Sequence, residues 1–487
     1  MLALVVRTEA HRAAIRARRG YEPDAVDKVD AVPPTTIAEA WRFDYRGRGM
    51  HDRDRVLYSD AFRRLAQITQ VTASESGNVF HNRLGHSLKV AQIGRRLTER
   101  LQRIAAAGLV TGAAATLIEE LDADAVEAGC LAHDLGHPPF GHVAEQELQE
   151  LTGPSQCQGT RVAPGLPGLF EGNAQSFRIV TQLEQSAGGG GLNLSRQTLE
   201  TLLKYPWRRA EVDDGTDRRE KWGYYETEAK IFEWVRQFTP VAPNEKGQHT
   251  LEAEIMDWAD DLTYAVHDVE DFYCAGLIPL HLFASIPVDG ISVMADARKQ
   301  FVATMEDVQR GKGKPRFTPD QLAGAVESIA GLRPGAPRGP FDGSDVQRQL
   351  LRRFGSGLIT DFLSAFTIEN GSNGSVVLRI DDDARLQVEA LKALVHAFVI
   401  QRPSMAEVQY GQRRVIADLF EHYLSAVEGL AGDRRTLPLG YRKRLARCES
   451  SDDRMRLVVD LVAGLTEESA YRIHHRLTGR SRTSALT

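Results

Sequence analysis

The sequence predicts an all-α protein, with a helical core, few short strands and additional C-terminal helices. Apolar residues recur at three-to-four spacing along residues 54–68 and 83–105, as they do on one face of a helix. A third stretch of this kind starts near Asp124 and is predicted to stop at Gly136, because Pro138 and Pro139 prevent its continuation. SVVLRI, at 375–380, follows the turn-rich NGSNG and is predicted to be a strand.

The remaining segments follow from the same periodicity and from their Gly and Pro content. A fourth helix is predicted to begin near His142, and others around 173–184, 195–204, 226–237, 250–273 and 384–478. Residues 152–170 read as a loop, and residues 310–346 as a flexible insertion. We therefore expect an N-terminal extension at 1–50, a core at 51–300, a Gly/Pro-rich insertion at 301–350 and a C-terminal helical region at 351–487.

Composition excludes several classes of protein. The chain has 487 residues, 42% hydrophobic and 26% charged, which is ordinary for a globular protein and excludes a disordered tail, a collagen-like repeat and a small disulfide scaffold. The four Cys residues are far apart and form no CxxC, as in a reduced cytoplasmic protein. There is no apolar run of membrane-spanning length and no signal-peptide pattern, so we expect no membrane association. The net charge of −6 argues against a general polyanion binder.

Histidines are concentrated in one part of the chain. Five of the 14 lie between positions 81 and 142: His81, His86, His133, His137 and His142. His133 and Asp134 are adjacent at the end of an apolar helix, where His86 and the acidic helix at 252–271 can complete a set of metal ligands. Imidazole and carboxylate ligands suit Mn, Fe, Co, Ni, Zn or Mg. Against this stands the plain alternative that a single His on a helix is usually a core or surface residue.

The motifs together narrow the interpretation. HNRLGHS, HDLGHPPFGHVAE and the acidic helix EAEIMDWADDLTYAVHDVED resemble the pattern of HD-domain hydrolases, and more narrowly the deoxyguanosine triphosphate triphosphohydrolase (dGTPase/dNTPase) family, from about Asp52 to Cys274. The resemblance implies an HD-domain core with a divalent metal, Mn or Mg in the first place and Fe, Co, Ni or Zn as alternatives. Its implied ligands are His86, His133, Asp134 and Asp260. Asp260 is preferred to Asp261 because the family's metal Asp is followed by Tyr at +4 and Asp at +8.

The resemblance also implies catalytic and substrate-binding residues. His142 and Glu145 would form the catalytic pair, since positions i and i+3 of a helix can face each other. The alternative is that Glu145 only complements the N-terminus of its helix. Gln70 and Asp268 would recognise the deoxyribose 3′-hydroxyl, with Tyr264 beneath the sugar. The implied phosphate contacts are Arg83, His137, Asn173, Lys204 and Tyr205. Each of these residues also has an ordinary structural explanation, for example as a solvated charge or core side chain.

The implied reaction is hydrolysis of dGTP or several dNTPs to a deoxynucleoside and inorganic triphosphate, by a homo-oligomer that in this family is often a hexamer. One alternative is another HD-type phosphohydrolase, acting on nucleoside monophosphates or cyclic nucleotides. Another is a nucleotide sensor, or single-stranded DNA binding through the basic residues at 434–447, although a solvated helix face is the simpler explanation there. Arg63 and Arg64 are predicted to pair with nearby acids such as Asp60. Near the C-terminus an AGMTDRYA-like family segment reads AGLTEESA, which leaves its role open.

Overall fold

Helices dominate the part of the chain that the structure describes, which confirms the predicted all-α class. The computed structural model describes residues 44–70, 82–153, 166, 168–186, 189–209, 221–237, 239, 249–284, 291–310, 315–370, 376–429 and 433–479. Strands in these ranges form two short antiparallel pairs, β1 (Gln185–Ser186) with β2 (Gly189–Gly190), and β3 (Phe366–Asn370) with β4 (Val376–Ile380). The strand predicted at 375–380 is β4; its partner β3 was not predicted. His81, Cys157, Pro33 and Pro34 lie outside the described residues.

Four helices pack together as the centre of the fold: α1 (Arg48–Tyr58), α3 (Arg83–Ala106), α5 (Ala123–Ala132) and α10 (Leu251–Cys274). Asn82, Asp122 and Thr250 begin the last three by accepting hydrogen bonds from backbone amides of the first turn. A Cβ on Gly94 would lie 2.6 Å from the Cys130 sulfur, so this glycine allows α3 and α5 to approach closely. The N-terminal end of α3 and the C-terminal end of α5 then face α10.

The N-terminal half adds smaller helices around this centre. They are α2 (Asp60–Arg64), α4 (Ala113–Glu119), α6 (His142–Thr152), α7 (Gly172–Arg178), α8 (Arg196–Leu202) and α9 (Ala229–Arg236). The predicted helices near 142, 173–184, 195–204, 226–237 and 250–273 each have a counterpart. The third predicted helix is shorter than expected: α5 ends at Ala132, not Gly136, and His133 is its C-terminal cap. The turn at 133–136 therefore presents His133 and Asp134 at a helix end.

The segment predicted as a flexible insertion contains helices. The helix before it is α11 (Ile291–Gln309). The segment itself contains α12 (Pro319–Leu332) and overlaps the start of α13 (Asp345–Phe362). Pro319 occupies the first turn of α12, where its missing amide costs nothing, and Thr318 and Gln321 form a capping box. Val326 and Ile329 are fully buried in the main core. The predicted insertion thus contains a buried helix among the described residues, which the sequence did not predict. The division into four domains remains a prediction.

The C-terminal helices build a second apolar core against α6. The chain continues through α14 (Asp382–Val395), α15 (Pro403–Glu428), α16 (Leu439–Leu445), α17 (Ser451–Ala463) and α18 (Glu467–Leu477). Ala144 and Leu148 of α6, together with Phe140, pack against buried apolar residues of α15 and α17. The helix that begins at His142 is thereby packed into the second core. Among the described residues no helix has the length and apolar character needed to span a bilayer.

The turn after Asp134 provides a test of the fold. A Cβ on Gly136 would lie 2.1 Å from the carbonyl oxygen of Gly172 and 2.2 Å from the amide nitrogen of Ser176, backbone atoms that cannot rotate away. We expect Gly136→Ala to lower the free energy of unfolding by about 3 kcal/mol, which is a typical cost of inserting an extra carbon into a closely packed core. Gly324→Ala on α12 is the control, because a Cβ there meets nothing within 4 Å and should stabilise the helix by up to ~1 kcal/mol. Equal urea midpoints for the two variants would contradict this account.

Candidate active site and metal centre

The ends of two central helices and the middle of a third bring two histidines and two carboxylates together. His86 lies in the first turn of α3, His133 and Asp134 follow α5, and Asp260 lies in the middle of α10. The Nε2 atom of His86 is 3.0 Å from Oδ1 of Asp260, and Nε2 of His133 is 3.4 Å from Oδ1 of Asp134 and 3.6 Å from Oδ1 of Asp260. Ligand atoms of His86, His133 and Asp134 all lie within 4.8 Å of one another. The arrangement offers nitrogen and oxygen donors to one ion.

His133 gives the strongest indication that these residues fit a metal. Its Nδ1 donates a hydrogen bond to the carbonyl oxygen of Cys130, 2.7 Å away, which directs Nε2 toward the carboxylates. This Nε2 is buried without a hydrogen-bond partner among the described residues. Burial would lower the pKa of His133, but the charges of Asp134 and Asp260 outweigh it and raise the pKa to about 9. A field that favours a proton on Nε2 also favours a divalent ion there.

The two neighbouring aspartates of α10 have different partners. Asp260 faces the histidines through Oδ1, while its Oδ2 accepts a hydrogen bond from Nζ of Lys204 at 2.9 Å. Asp261 instead accepts a hydrogen bond from Nζ of Lys392 on α14, at 3.1 Å. Adjacent helical residues point about 100° apart, so one of the two faces the cluster and the other a different wall. The geometry favours Asp260 as the fourth ligand.

Arg83 and His137 both contact Asp134. Nη1 of Arg83 donates to Oδ2 of Asp134 at 2.8 Å, and both side chains are buried. Nδ1 of His137 lies 3.0 Å from Oδ1 of the same carboxylate. Burial, reinforced by the charge of Arg83, lowers the pKa of His137 to about 4, so its imidazole is neutral at neutral pH. The sequence pattern predicted phosphate contacts for both residues but not their contact with Asp134.

The predicted catalytic pair is in direct contact. Nδ1 of His142 is 2.8 Å from Oε2 of Glu145, and Oε1 of Glu145 accepts a hydrogen bond from the amide of Gly172, also at 2.8 Å. Burial would raise the pKa of Glu145, but the hydrogen bond from His142 and the charge of Lys221 keep it well below its usual value. Glu145 is therefore an ionised carboxylate fixed by the backbone. The His142 side chain is 61% exposed, with Nε2 available on the side away from Glu145.

A cavity of about 910 Å³ joins these groups. The predicted site residues that line it are Gln70, Arg83, His133, Asp134, His137, His142, Asn173, Lys204, Tyr205, Asp260 and Tyr264. Three predicted residues are not part of the lining. His86 and Glu145 are buried behind it, in contact with Asp260 and His142, and Asp268 is buried one turn beyond Tyr264 on α10.

Several predicted substrate contacts already have protein partners. Lys204 is ion-paired with Asp257 at 2.7 Å as well as with Asp260. Burial would lower the pKa of Lys204, but these two carboxylates raise it well above its usual value, so the ammonium is charged. Nδ2 of Asn173 donates to Oε1 of Glu171 at 2.8 Å. A substrate would have to share or replace these interactions.

Asp268 and Gln70 differ from that group, since each has a buried polar atom without a hydrogen-bond partner among the described residues: Oδ2 of Asp268 and Oε1 of Gln70. Burial and the nearby charge of Asp271 raise the pKa of Asp268 well above its usual value. A protonated Asp268 can donate a hydrogen bond as well as accept one. Both residues thus retain hydrogen-bonding capacity that a hydroxyl group could use.

Sequence reasoning missed a group of cavity residues from distant parts of the chain. Lys221 lies in the wall near Tyr205, and the charges of Glu145 and Glu171 raise its pKa although burial would lower it. The opposite part of the cavity is formed by α11, α12, α14 and the segment before α12; among its polar lining residues are Arg316, Arg385, Glu389, Lys392 and His396. They belong to no motif, and only the tertiary fold brings them to the cavity.

Arg64 was also misjudged. Arg63 pairs with Asp60, as the sequence suggested, but Arg64 has no acidic partner among the residues that the structure describes. Its guanidinium donates to the carbonyl oxygens of Leu135 and His137, at 2.6 and 2.8 Å, and to those of Ala463 and Leu465, both at 3.1 Å. It therefore joins the turn beyond Asp134 to the segment between α17 and α18.

Comparisons with known proteins agree with this geometry. A family model described as HD domain matches residues 83–165, and one described as phosphohydrolase-associated domain matches residues 378–476. A deoxyguanosinetriphosphate triphosphohydrolase-like protein of Streptomyces coelicolor is 35% identical over 88% of this chain and 92% of its own length. Proteins of the same name are 33% identical in Corynebacterium efficiens, over 94% of this chain and 98% of the relative, and 29% identical in Shewanella loihica, over 90% and 93%.

The two aspartates of α10 allow a matched test of the metal centre. We expect Asp260→Ala to lose most of the bound metal, because it removes an oxygen beside both histidines. Asp261→Ala, which removes the partner of Lys392, should retain it. Metal content would be measured by elemental analysis after purification in Mn²⁺ and buffer exchange. Unchanged metal in Asp260→Ala, or equal loss in both variants, would reject Asp260 as a ligand.

Proposed function

We propose that this chain, which belongs to the HD-domain deoxyguanosinetriphosphate triphosphohydrolase-like family, hydrolyses deoxynucleoside triphosphates to a deoxynucleoside and inorganic triphosphate. Membership of the family makes it a hydrolase of the HD type; the substrate and the bond cleaved are our proposal. One observation carries the proposal. The His/Asp cluster and the His142–Glu145 pair line or adjoin a single cavity, and several cationic side chains line the same cavity.

The charges of the cavity suit a triphosphate. Arg83, Lys204 and Lys221 are cations, and His137 is a neutral imidazole that can donate a hydrogen bond. Arg83 and Lys204 also neutralise Asp134 and Asp260, so the cluster does not repel an incoming anion as bare carboxylates would. Donors fixed in a cavity with limited water stabilise developing negative charge without reorganisation.

The roles of the chain's own groups follow from their contacts. A divalent ion held by His86, His133, Asp134 and Asp260 would supply Lewis-acid polarisation of a phosphoryl oxygen. Glu145 holds Nδ1 of His142, which leaves Nε2 to deliver a proton to the 5′-oxygen of the deoxynucleoside as its bond to the α-phosphorus breaks. Water adds to that phosphorus, so the oxygen gained appears in the triphosphate. Asn173 and Tyr205 lie in the same cavity wall and would orient the phosphates.

Recognition of the sugar is assigned to the wall formed by α10. Gln70 and Asp268 each have a buried polar atom without a partner among the described residues, which suits a 3′-hydroxyl. Tyr264 precedes Asp268 by four residues, lies on the same helix face and lines the cavity. Its ring would lie beneath the sugar and leave no room for a 2′-hydroxyl. The base would then occupy the mixed polar and apolar part formed by α11, α12 and α14.

The oligomeric state, DNA binding and the identity of the metal remain predictions. A homo-oligomer was expected from the family resemblance. Single-stranded DNA binding is a weaker alternative based on the basic residues at 434–447, which include the exposed Arg442 and Lys443 of α16. The choice between Mn, Mg and the other divalent metals is also a prediction, because imidazole and carboxylate ligands accept all of them.

Product analysis tests the reaction itself. Each of the four dNTPs, alone and as a mixture, would be incubated with the protein and Mn²⁺ or Mg²⁺ in H₂¹⁸O, and the products separated by anion exchange. We expect deoxynucleoside and triphosphate, with ¹⁸O in the triphosphate. Orthophosphate or pyrophosphate as the first product, or turnover of monophosphates or cyclic nucleotides instead, would favour another HD-type phosphohydrolase. Turnover that requires the mixture would indicate activation by a second nucleotide.

The role of His142 can be separated from metal binding. We expect His142→Ala to lower kcat by about 10²- to 10⁴-fold, the range of a general acid, because it removes the imidazole but none of the cluster's four ligands. Metal content and the urea midpoint should match those of the wild type. His475→Ala, on the exposed surface of α18, is the control and should keep full activity. Wild-type kcat in His142→Ala would remove His142 from the mechanism.

A further inference from the structure

We propose that Glu467, at the start of α18, is a positioning residue for the active site, because one carboxylate oxygen holds two of the segments that form it. Oε1 of Glu467 accepts hydrogen bonds from the amide of Thr69 at 2.9 Å, the hydroxyl of Thr69 at 2.8 Å and the amide of Phe140 at 3.3 Å. Thr69 precedes Gln70, and Phe140 precedes His142 by two residues. The inference rests on the proposed function for its kinetic consequences, but not for the contacts themselves.

The Thr69 side of this contact leads to α3. Thr69 forms an isolated antiparallel bridge with Asn82, the residue that caps α3, and the amide of Arg83 donates to the carbonyl oxygen of Ile68 at 3.0 Å. Glu467 thus holds a short extended segment that continues into Gln70 and is paired with the start of the helix carrying Arg83 and His86. A shift of Thr69 would move Gln70 directly.

The Phe140 side leads to His142. Phe140 has φ +70° and Gly141 has φ +58°, so the turn before α6 uses the left-handed region, which a phenylalanine rarely adopts. Such a conformation persists when surrounding contacts enforce it. Here the amide of Phe140 donates to Glu467, and its ring lies 5.0 Å from that of Tyr471, one turn further along α18. Because Gly141 is the N-cap of α6, this turn sets where His142 begins.

Arg64 attaches the same C-terminal segment at a second place. It joins the carbonyl oxygens of Leu135 and His137 to those of Ala463 and Leu465. The segment 463–471 is therefore connected to the loop at 135–142 both through the half-buried cation of Arg64 and through the carboxylate of Glu467. We define the contacts of Glu467 with Thr69 and Phe140 as the Glu467 clamp.

The charge of Glu467 is central to the clamp. Three hydrogen-bond donors converge on a single oxygen of Glu467. A charged carboxylate oxygen accepts hydrogen bonds more strongly than the neutral oxygen of an amide. Glu467→Gln keeps the volume of the side chain and removes the charge, so it weakens the clamp without opening a cavity. Glu468, the next residue of α18, is exposed and provides the matched control Glu468→Gln.

The experiment compares the two variants in kinetics, normalised to the amount of bound metal. We expect Glu467→Gln to lower kcat by about 10- to 100-fold, the cost of a small misplacement of reacting groups, with KM for the dNTP changed less than threefold. The cations of the cavity and the four proposed metal ligands remain in place, so binding should persist. A purely structural role would lower the urea midpoint and the metal-loaded fraction but leave kcat per loaded site unchanged. Glu468→Gln should match the wild type in all these measurements.

A second measurement does not depend on turnover. Hydrogen exchange followed by mass spectrometry should show faster exchange of the peptide around 138–143 in Glu467→Gln, because the Phe140 amide loses its acceptor, and no change in Glu468→Gln. If the wild type released no triphosphate, the proposed function would fail while this measurement still tested the clamp. If Glu467→Gln did not fold, Thr69→Val, which removes one of the three donors, should also lower kcat, by a smaller factor, while the Phe140 amide keeps its acceptor. Wild-type kcat and exchange in Glu467→Gln, or wild-type kcat in Thr69→Val where that variant replaces it, would overturn the inference.

Discussion

The negative charge of Asp134 is the constraint on which the rest of the site depends. An ionised carboxylate removed from water is costly unless cations and hydrogen-bond donors surround it. Burial would raise the pKa of Asp134, but Arg83, and then His133 and His137, hold it well below its usual value. Arg83 must therefore be buried beside the cluster, and the two histidines must face the other oxygen. One charge thus explains why a cation, two imidazoles and a helix end meet at this point.

The same constraint shows what a sequence can and cannot predict. The starts of α3 and α6, the register of α10 and the strand β4 could be predicted, because caps and periodicity are local. The end of α5 was predicted four residues too late; the turn that follows it packs Gly136 against Gly172, a contact between residues distant in sequence. The helix α12 was also missed, because the Gly and Pro content of its surroundings outweighed an apolar face that becomes evident only once Val326 and Ile329 are buried.

The candidate site divides in the same way. Candidate residues of the motifs, such as His86, His133 and His142, could be named because each motif has fixed spacing, and the structure places them in or beside one cavity. Other lining residues could not, because Lys221, Arg385 and Lys392 reach the cavity from separate elements with no shared spacing. A motif defines the chemistry near the reacting atoms, whereas the fold alone determines what else surrounds a substrate.

Packing around α6 explains how a distant segment can matter to the reacting groups. Phe140 and Ala144 lie in the second core, with α15 and α17, whereas His133 and Asp260 lie at the ends and centre of helices in the main core. His142 therefore depends on how the two cores meet, and Glu467 and Arg64 cross that boundary with charge-assisted hydrogen bonds. The AGLTEESA segment has Glu467 where the family's AGMTDRYA-like segment has Asp, so an acid is retained although the letters differ. An acid at the first position of α18, not the identity of the segment, is what the Thr69 and Phe140 donors require.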